Sequence, residues 1–193
     1  MNEEGPGRLI IVSGPSGAGK TTILREVFSR CPQLQSSVSA TTRPPRPGEQ
    51  DGEDYYFLSN EEFFRRQKNG EFLETFEVFG RGFWYGTLHS EVAPRLAAGQ
   101  WVVLEIDVEG TLAVLRQYPQ AITIFVRPES VEELERRLRL RGTESADVIE
   151  RRLEVARREL AMVSKYQYIV KNDSVDQAVQ EIVDILKRLE VCA

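Results

Sequence analysis

Apolar positions recur along this chain with two periods, and their alternation predicts the architecture. Leu9-Ile10-Ile11-Val12 is a short β-branched run of the kind that forms a buried strand, and Ile23, Leu24, Val27 and Phe28 follow it at helical spacing. Trp101-Val102-Val103-Leu104-Glu105-Ile106-Asp107 and Ala121-Ile122-Thr123-Ile124-Phe125-Val126 repeat the buried-strand pattern, and Tyr168-Ile169-Val170 is a short last strand. Val175, Val179, Ile182, Val183, Leu186 and Leu189 then mark one face of a C-terminal helix. Strands that alternate with helices predict an α/β fold, a mainly parallel sheet flanked by helices.

Two stretches break that pattern. Arg43-Pro44-Pro45-Arg46-Pro47-Gly48-Glu49 is too rich in proline for a helix or an inner strand. Beyond it, Asp54-Tyr55-Tyr56-Phe57-Leu58, Phe72-Leu73-Glu74-Thr75-Phe76 and Phe83-Trp84-Tyr85 read as aromatic strands, and the capping box Ser59-Asn60-Glu61-Glu62 starts a short helix that Asn69-Gly70 ends. The second break opens at another capping box, Ser130-Val131-Glu132-Glu133, whose helix carries Val131, Leu134 and Leu138 on one face; Gly142-Thr143-Glu144-Ser145 reads as a hinge after it. The predicted organisation is a core of residues 1–36, 88–136 and 160–193, a small β-rich insert at 37–87 and a helical lid at 137–159, all within one chain-level domain. A length of 193 residues suits that arrangement better than two full domains.

Between the first strand and the first helix lies Gly14-Pro15-Ser16-Gly17-Ala18-Gly19-Lys20-Thr21-Thr22, which fits the phosphate-loop pattern of Gly, four residues, then Gly-Lys-Ser/Thr. Its glycines let successive amide N–H groups point at phosphate oxygens, and the loop feeds a helix N-terminus whose partial positive charge favours anions. Lys20 would reach the β- and γ-phosphates, and Thr21 Oγ1 would ligate Mg²⁺. Asp107, at the C-terminal end of a parallel strand, would lie beside this loop and hold Mg²⁺ directly or through water.

Charge and composition narrow the partners. A net charge of −5, with 28% charged and 41% hydrophobic residues, is an ordinary balance that argues against general nucleic-acid binding but leaves room for a local basic pocket. The two cysteines, Cys31 and Cys192, have no metal-ligand spacing, so the reading is a reducing, cytoplasmic setting in which a disulfide is unneeded. His89, the only histidine, reads as a surface or loop side chain. No run reaches membrane-spanning length, and the N-terminal residues lack the apolar core of a signal peptide.

Arginines crowd the second half. Glu132, Glu133 and Glu135 precede Arg136, Arg137 and Arg139 by four, which suits a solvated, salt-bridged helix face. Arg141 and Arg152 do not fit that account: Arg141 follows Arg137 by four, a like-charge spacing, and Arg152 has Val148, Ile149, Val155 and Ala156 as helical neighbours. In the insert, the proline-fixed loop presents the guanidinium forks of Arg43 and Arg46, suited to an anion or to a solvated turn alike, and Tyr55, Glu74, Tyr85 and Thr87 stand among aromatics that suit either a planar ligand or a core.

With these residues in view, the chain resembles guanylate kinases over nearly its whole length. The likeness rests on Gly14–Thr22, Ser37–Arg46 with Gly48-Glu49 and Gly52-Glu53-Asp54-Tyr55, Tyr85-Gly86-Thr87, Glu105-Ile106-Asp107, Arg141-Gly142-Thr143 and Asn172-Asp173. It implies a phosphate-loop fold and phosphorylation of GMP and dGMP by ATP with Mg²⁺. It further implies that Ser39, Glu74 and Thr87 read guanine, that Arg43, Arg46, Tyr55 and Tyr85 hold the GMP phosphate, and that Asp107 stands between GMP and the metal. Asn172, with Asp173, would lie near the ATP base, and Lys20, Arg46, Arg141 and Arg152 would surround the transferring group, with Arg137 a third lid arginine. Oligomeric state stays open. Arg127, Lys171 and Glu109 depart from the family pattern without touching this chemistry. Rival readings are a catalytically silent interaction module, a GTPase switch suggested by Asp107-Val108-Glu109-Gly110, and a sister kinase for another small phosphorylated acceptor. The loop is intact and the Asn-Lys-x-Asp signature is absent, which weighs against the first two.

Overall fold

The strand β1 (Leu9–Ser13) is buried along its whole length because the sheet closes on it from both sides. The computed structural model describes residues 7–77, 82–140 and 146–190. In it β1 pairs in parallel with β7 (Trp101–Glu105) and β8 (Ile122–Pro128), and the outer places fall to β2 (Leu34–Ser36) and β9 (Tyr168–Asn172), giving the order β2-β7-β1-β8-β9. Alternation sends Ile10 and Val12 to one face, where α1 (Lys20–Arg30) and α7 (Val175–Arg188) bring Ile23, Val27, Val179, Ile182 and Leu186. Leu9 and Ile11 go to the other face and meet Val92 of α3 (His89–Ala97) and Val114 of α4 (Val108–Gln117). The expected mainly parallel sheet flanked by helices is what forms.

A second sheet of four strands follows the order β4 (Tyr56–Phe57), β3 (Ser39–Thr41), β6 (Trp84–Leu88), β5 (Phe72–Glu77). Its inner side packs Ala40, Phe72 and Leu88 on Phe63 of α2 (Asn60–Lys68). Of both predicted capping boxes the serine half forms: Glu62 N donates to Ser59 Oγ at 3.1 Å and Glu133 N to Ser130 Oγ at 3.1 Å, while the two glutamate carboxylates accept from arginines one turn on. The second opens α5 (Val131–Leu140), which packs Leu134 and Leu138 on Ile149, Leu153 and Ala156 of α6 (Ala146–Ala161).

Several details differ from the sequence reading. Arg136 pairs with Glu133 rather than Glu132, so Glu133 serves both Arg136 and Arg137. His89 opens α3, half-buried, with its N–H on the Glu71 carbonyl. Cys31, buried at the end of α1, is disulfide-bonded, where no disulfide was expected. Among the described residues no helix is long and apolar enough to cross a membrane.

Candidate active site

The glycine-rich loop leaves β1 and enters α1 through Gly19, whose φ of 94° favours glycine; a Cβ there would run into the Asn172 side-chain amide. That amide lies buried under the loop and donates to the Ala18 carbonyl at 2.7 Å, while the Asn172 carbonyl accepts from Arg137 at 3.2 Å. Asn172 thus braces the loop from below. Asp173, exposed, turns to Lys171 at 2.7 Å, and Lys171 also reaches Glu129 at 3.5 Å.

Lys20, first in α1, folds back over the loop and donates to the carbonyls of Gly14 at 2.6 Å and Pro15 at 3.1 Å. Burial pulls its pKa below the usual lysine range, against the opposing charges of Glu105, Glu159 and Asp107; the Arg152 charge adds to the lowering. Thr21 Oγ1 donates to Glu105 Oε1 at 2.8 Å. The sequence marks Glu105 only as part of Glu105-Ile106-Asp107 and gives it no role of its own, yet the parallel register that pairs Val12 with Glu105 carries this carboxylate to the root of the loop. Asp107, two residues on, caps α4 by accepting from Gly110 N at 2.7 Å, and burial pushes its carboxyl up to about 6.

In the second sheet, Ser39 pairs with Thr87 and Thr87 with Glu74, so three adjacent strands present these residues in one cross-strand row. Thr87 Oγ1 donates to Glu74 Oε1 at 2.7 Å, whereas Glu74 Oε2 is buried with no hydrogen-bond partner. Burial drives the Glu74 carboxyl up to about 7; the Thr87 hydroxyl opposes that and the Asp107 charge adds to it. Helix α4 meets the second sheet here: a Cβ on Gly110 would stand 3.2 Å from Asp107 Oδ1 and 3.3 Å from Glu74 Oε2.

Beside that row Arg43 is buried and fixed. Its guanidinium forks onto Glu49 through two contacts of 2.9 Å, donates to Tyr85 Oη at 3.1 Å and lies 5.4 Å from the Tyr55 ring centre. Tyr55 meets Tyr85 edge-on, and burial raises its phenol to about 12. Arg46 is exposed; its backbone N–H donates to Glu49 Oε2 at 2.6 Å and its carbonyl accepts from Glu49 N at 3.1 Å. From α6, Arg152 Nη2 donates to Ser16 Oγ at 2.6 Å. Glu159, two helical turns further along α6, is held up to about 7 by burial, although the Lys20 charge pulls it down. Arg141 lies outside the described residues.

The site therefore joins a phosphate loop with its lysine and hydroxyl, an acidic strand end, an arginine of α6 and a buried polar row in the second sheet. Glu49, Glu105 and Glu159 complete it unannounced; Glu105 could have been found from its place two residues before Asp107, and Glu159 from its share in the Arg152 face. The guanylate kinase family profile matches residues 6–189. The chain belongs to the guanylate kinase family. Among relatives in the family, the guanylate kinase of Rhodopirellula baltica is 58% identical over 183 residues, spanning 94% of this chain and 88% of that protein. That of Desulfitobacterium hafniense is 48% identical, spanning 95% and 91%. The crystal structure of guanylate kinase from Anaplasma phagocytophilum superposes with a TM-score of 0.78 at 31% identity, covering 95% of this chain and 86% of that one. A shikimate kinase from Bacteroides thetaiotaomicron, at TM-score 0.50 and 13% identity, shares the fold alone.

Proposed function

We propose that this chain transfers the γ-phosphoryl group of Mg·ATP to GMP, and to dGMP, by in-line displacement. Phosphorylation of GMP by ATP follows from membership of the family; the metal, the deoxy acceptor and the residue roles are the proposal. The observation that carries it is the buried Glu74 carboxylate, with one oxygen held by Thr87 and the other without a protein partner. Guanine offers the matching pair of donors, its N1–H and exocyclic amine, and adenine does not. Ser39 completes the row, while Arg43, Arg46, Tyr55 and Tyr85 take the acceptor phosphate.

The acceptor needs little covalent help. A phosphate monoester with a second pKa near ~6 is largely ionised at neutral pH, so its oxygen attacks the γ-phosphorus without a general base. One bond forms to that phosphorus, the bond to the β-phosphate bridging oxygen breaks, and ADP leaves with the electron pair. Lys20, Arg46, Arg152 and Arg141 neutralise the charge that spreads over the transferring group. Thr21 and Glu105, with Asp107 directly or through water, form an oxygen donor set of the kind Mg²⁺ favours beside phosphates. Bound there, the ion would neutralise triphosphate charge. The lid at 137–159 closes over the core and the insert at 37–87 over the acceptor, excluding water. The reading places the activity in the cytoplasm, with small-molecule substrates and no nucleic acid.

The test is ADP release from Mg·ATP with GMP, dGMP, AMP or no acceptor, repeated with the metal chelated. Turnover confined to guanine acceptors and abolished by chelation is expected. Equal turnover with AMP would refute the guanine reading, and hydrolysis without acceptor would refute the kinase mechanism.

A further inference from the structure

Ser16 stands in the phosphate loop, where the backbone amides do the anion binding and a side chain is not needed for it. Its hydroxyl nevertheless reaches across 136 residues of sequence to accept from Arg152 Nη2 at 2.6 Å. Arg152 comes from α6, and the bond forms although the Arg152 charge repels Lys20, the other cation over the same loop. Helix α5, which packs on α6, also lies close to the loop: its Leu134 Cδ1 atom is 2.9 Å from where a Cβ on Gly17 would stand. Glu159, on the same face of α6 as Arg152, is half-buried, and the Lys20 charge acts on it. Two cations and a hydroxyl therefore converge on the loop.

A serine hydroxyl has one proton to donate and two lone pairs to accept with. When Arg152 occupies a lone pair, the Ser16 proton remains to be donated to a phosphoryl oxygen, and a donor polarised by a neighbouring cation is the stronger for it. We infer that Ser16 is a positioning residue: its side chain seats the lid arginine over the phosphate loop and bridges it to the donor triphosphate. Ser16 thereby sets where Arg152 stands when phosphoryl transfer begins. The inference rests on the catalytic role proposed above for Arg152.

The experiment compares the full-length wild type with Ser16→Ala, Ser16→Thr, Arg152→Ala and the Ser16→Ala/Arg152→Ala double variant. Single-turnover phosphoryl transfer to GMP and Mg·ATP affinity are measured at matched fractions folded. Loss of a hydrogen bond to a charged group predicts that Ser16→Ala slows transfer about tenfold to a hundredfold, with Mg·ATP affinity nearly unchanged because the backbone cradle is intact. Ser16→Thr, which keeps the hydroxyl, should recover most of the rate, and Ser16→Ala should add almost nothing once Arg152 is gone. A loss in Mg·ATP affinity with an unchanged transfer rate, a Thr variant as slow as Ala, or multiplicative effects in the double variant would each overturn the role. If Arg152→Ala is slow while Ser16→Ala is not, this inference alone falls; if Arg152→Ala transfers at the wild-type rate, the Arg152 assignment falls and takes it down too.

Discussion

The Glu74 carboxyl is held at about 7, and that makes the guanine-reading role proposed for it a measurable proton event. Glu74 is buried, takes one hydrogen bond from Thr87 and feels the Asp107 charge, which together hold it at about 7. Only the ionised form accepts from both guanine donors, so apparent affinity scales with the ionised fraction of the free protein. That fraction is about nine-tenths at pH 8 and about one-tenth at pH 6, a weakening of about tenfold. The GMP phosphate, with its own pKa near ~6, adds at most about a factor of two over the same range. Glu74→Gln removes the first effect and keeps the second. Calorimetry at pH 7 in two buffers of different ionisation enthalpy should find about half a proton more released per GMP by the wild type than by Glu74→Gln. Stability carries the same signature with a definite sign. Because the folded pKa lies above the usual 4.5, the neutral form favours folding. Stabilisation relative to the ionised form is complete below about pH 4.5 and is lost as pH rises through about 7, costing about 3 kcal/mol at pH 8. The gap in melting temperature between Glu74→Gln and wild type should therefore widen, in favour of the variant, from pH 5 to pH 8. Equal proton release from the two proteins would refute both the titration and the role of Glu74 in reading the base.

Three further outcomes are expected. Arg152→Ala should lower turnover on the order of 10³-fold while GMP affinity stays near wild type, as measured by steady-state kinetics and titration; unchanged turnover would remove Arg152 from the transferring group. Gly19→Ala, strained at a φ of 94° and blocked by the Asn172 amide, should cost about 1–3 kcal/mol in thermal unfolding and weaken Mg·ATP binding. Glu49→Ala leaves the mostly buried Arg43 guanidinium without its forked partner, so GMP affinity should fall and stability drop by about 2 kcal/mol, less than for a fully enclosed pair because the Glu49 side chain keeps 18% exposure. Neither effect should appear if Arg43 is held chiefly by Tyr85.

Much of this molecule is legible in its sequence where the periodicity is long or the chemistry local. The β1 run, the β8 run and the α7 stripe each bury an entire face, so hydrophobic spacing alone marks them. β2 and β3 are three residues each, and what makes them strands is the register with β7 and β6, which no local pattern carries. α3 contains Pro94, which reads as a helix breaker. Within the site, the loop announces itself because its glycines and lysine are contiguous. Glu49, Glu105 and Glu159 do not, because each matters only through a partner brought near by folding: Arg43, Thr21 and Lys20. Asn172 shows the same limit from another side: no local pattern carries the contact by which its side-chain amide braces the loop, 154 residues away in sequence.

The strand that roots the phosphate loop is made first and completed late. β1 lies at the centre of its sheet, but its neighbours begin at Trp101 and Ile122, so during synthesis Leu9-Ile10-Ile11-Val12 waits for roughly 100 further residues, about 5–20 s at ordinary elongation rates. Through that interval an apolar, β-prone segment has no native sheet partner, while residues of the second sheet, β3 to β6, can already pair among themselves. The cross-strand row of Ser39, Thr87 and Glu74 can thus be assembled on the ribosome before the sheet that roots the phosphate loop exists, and the order of manufacture runs opposite to the order in which the loop appears in the chain.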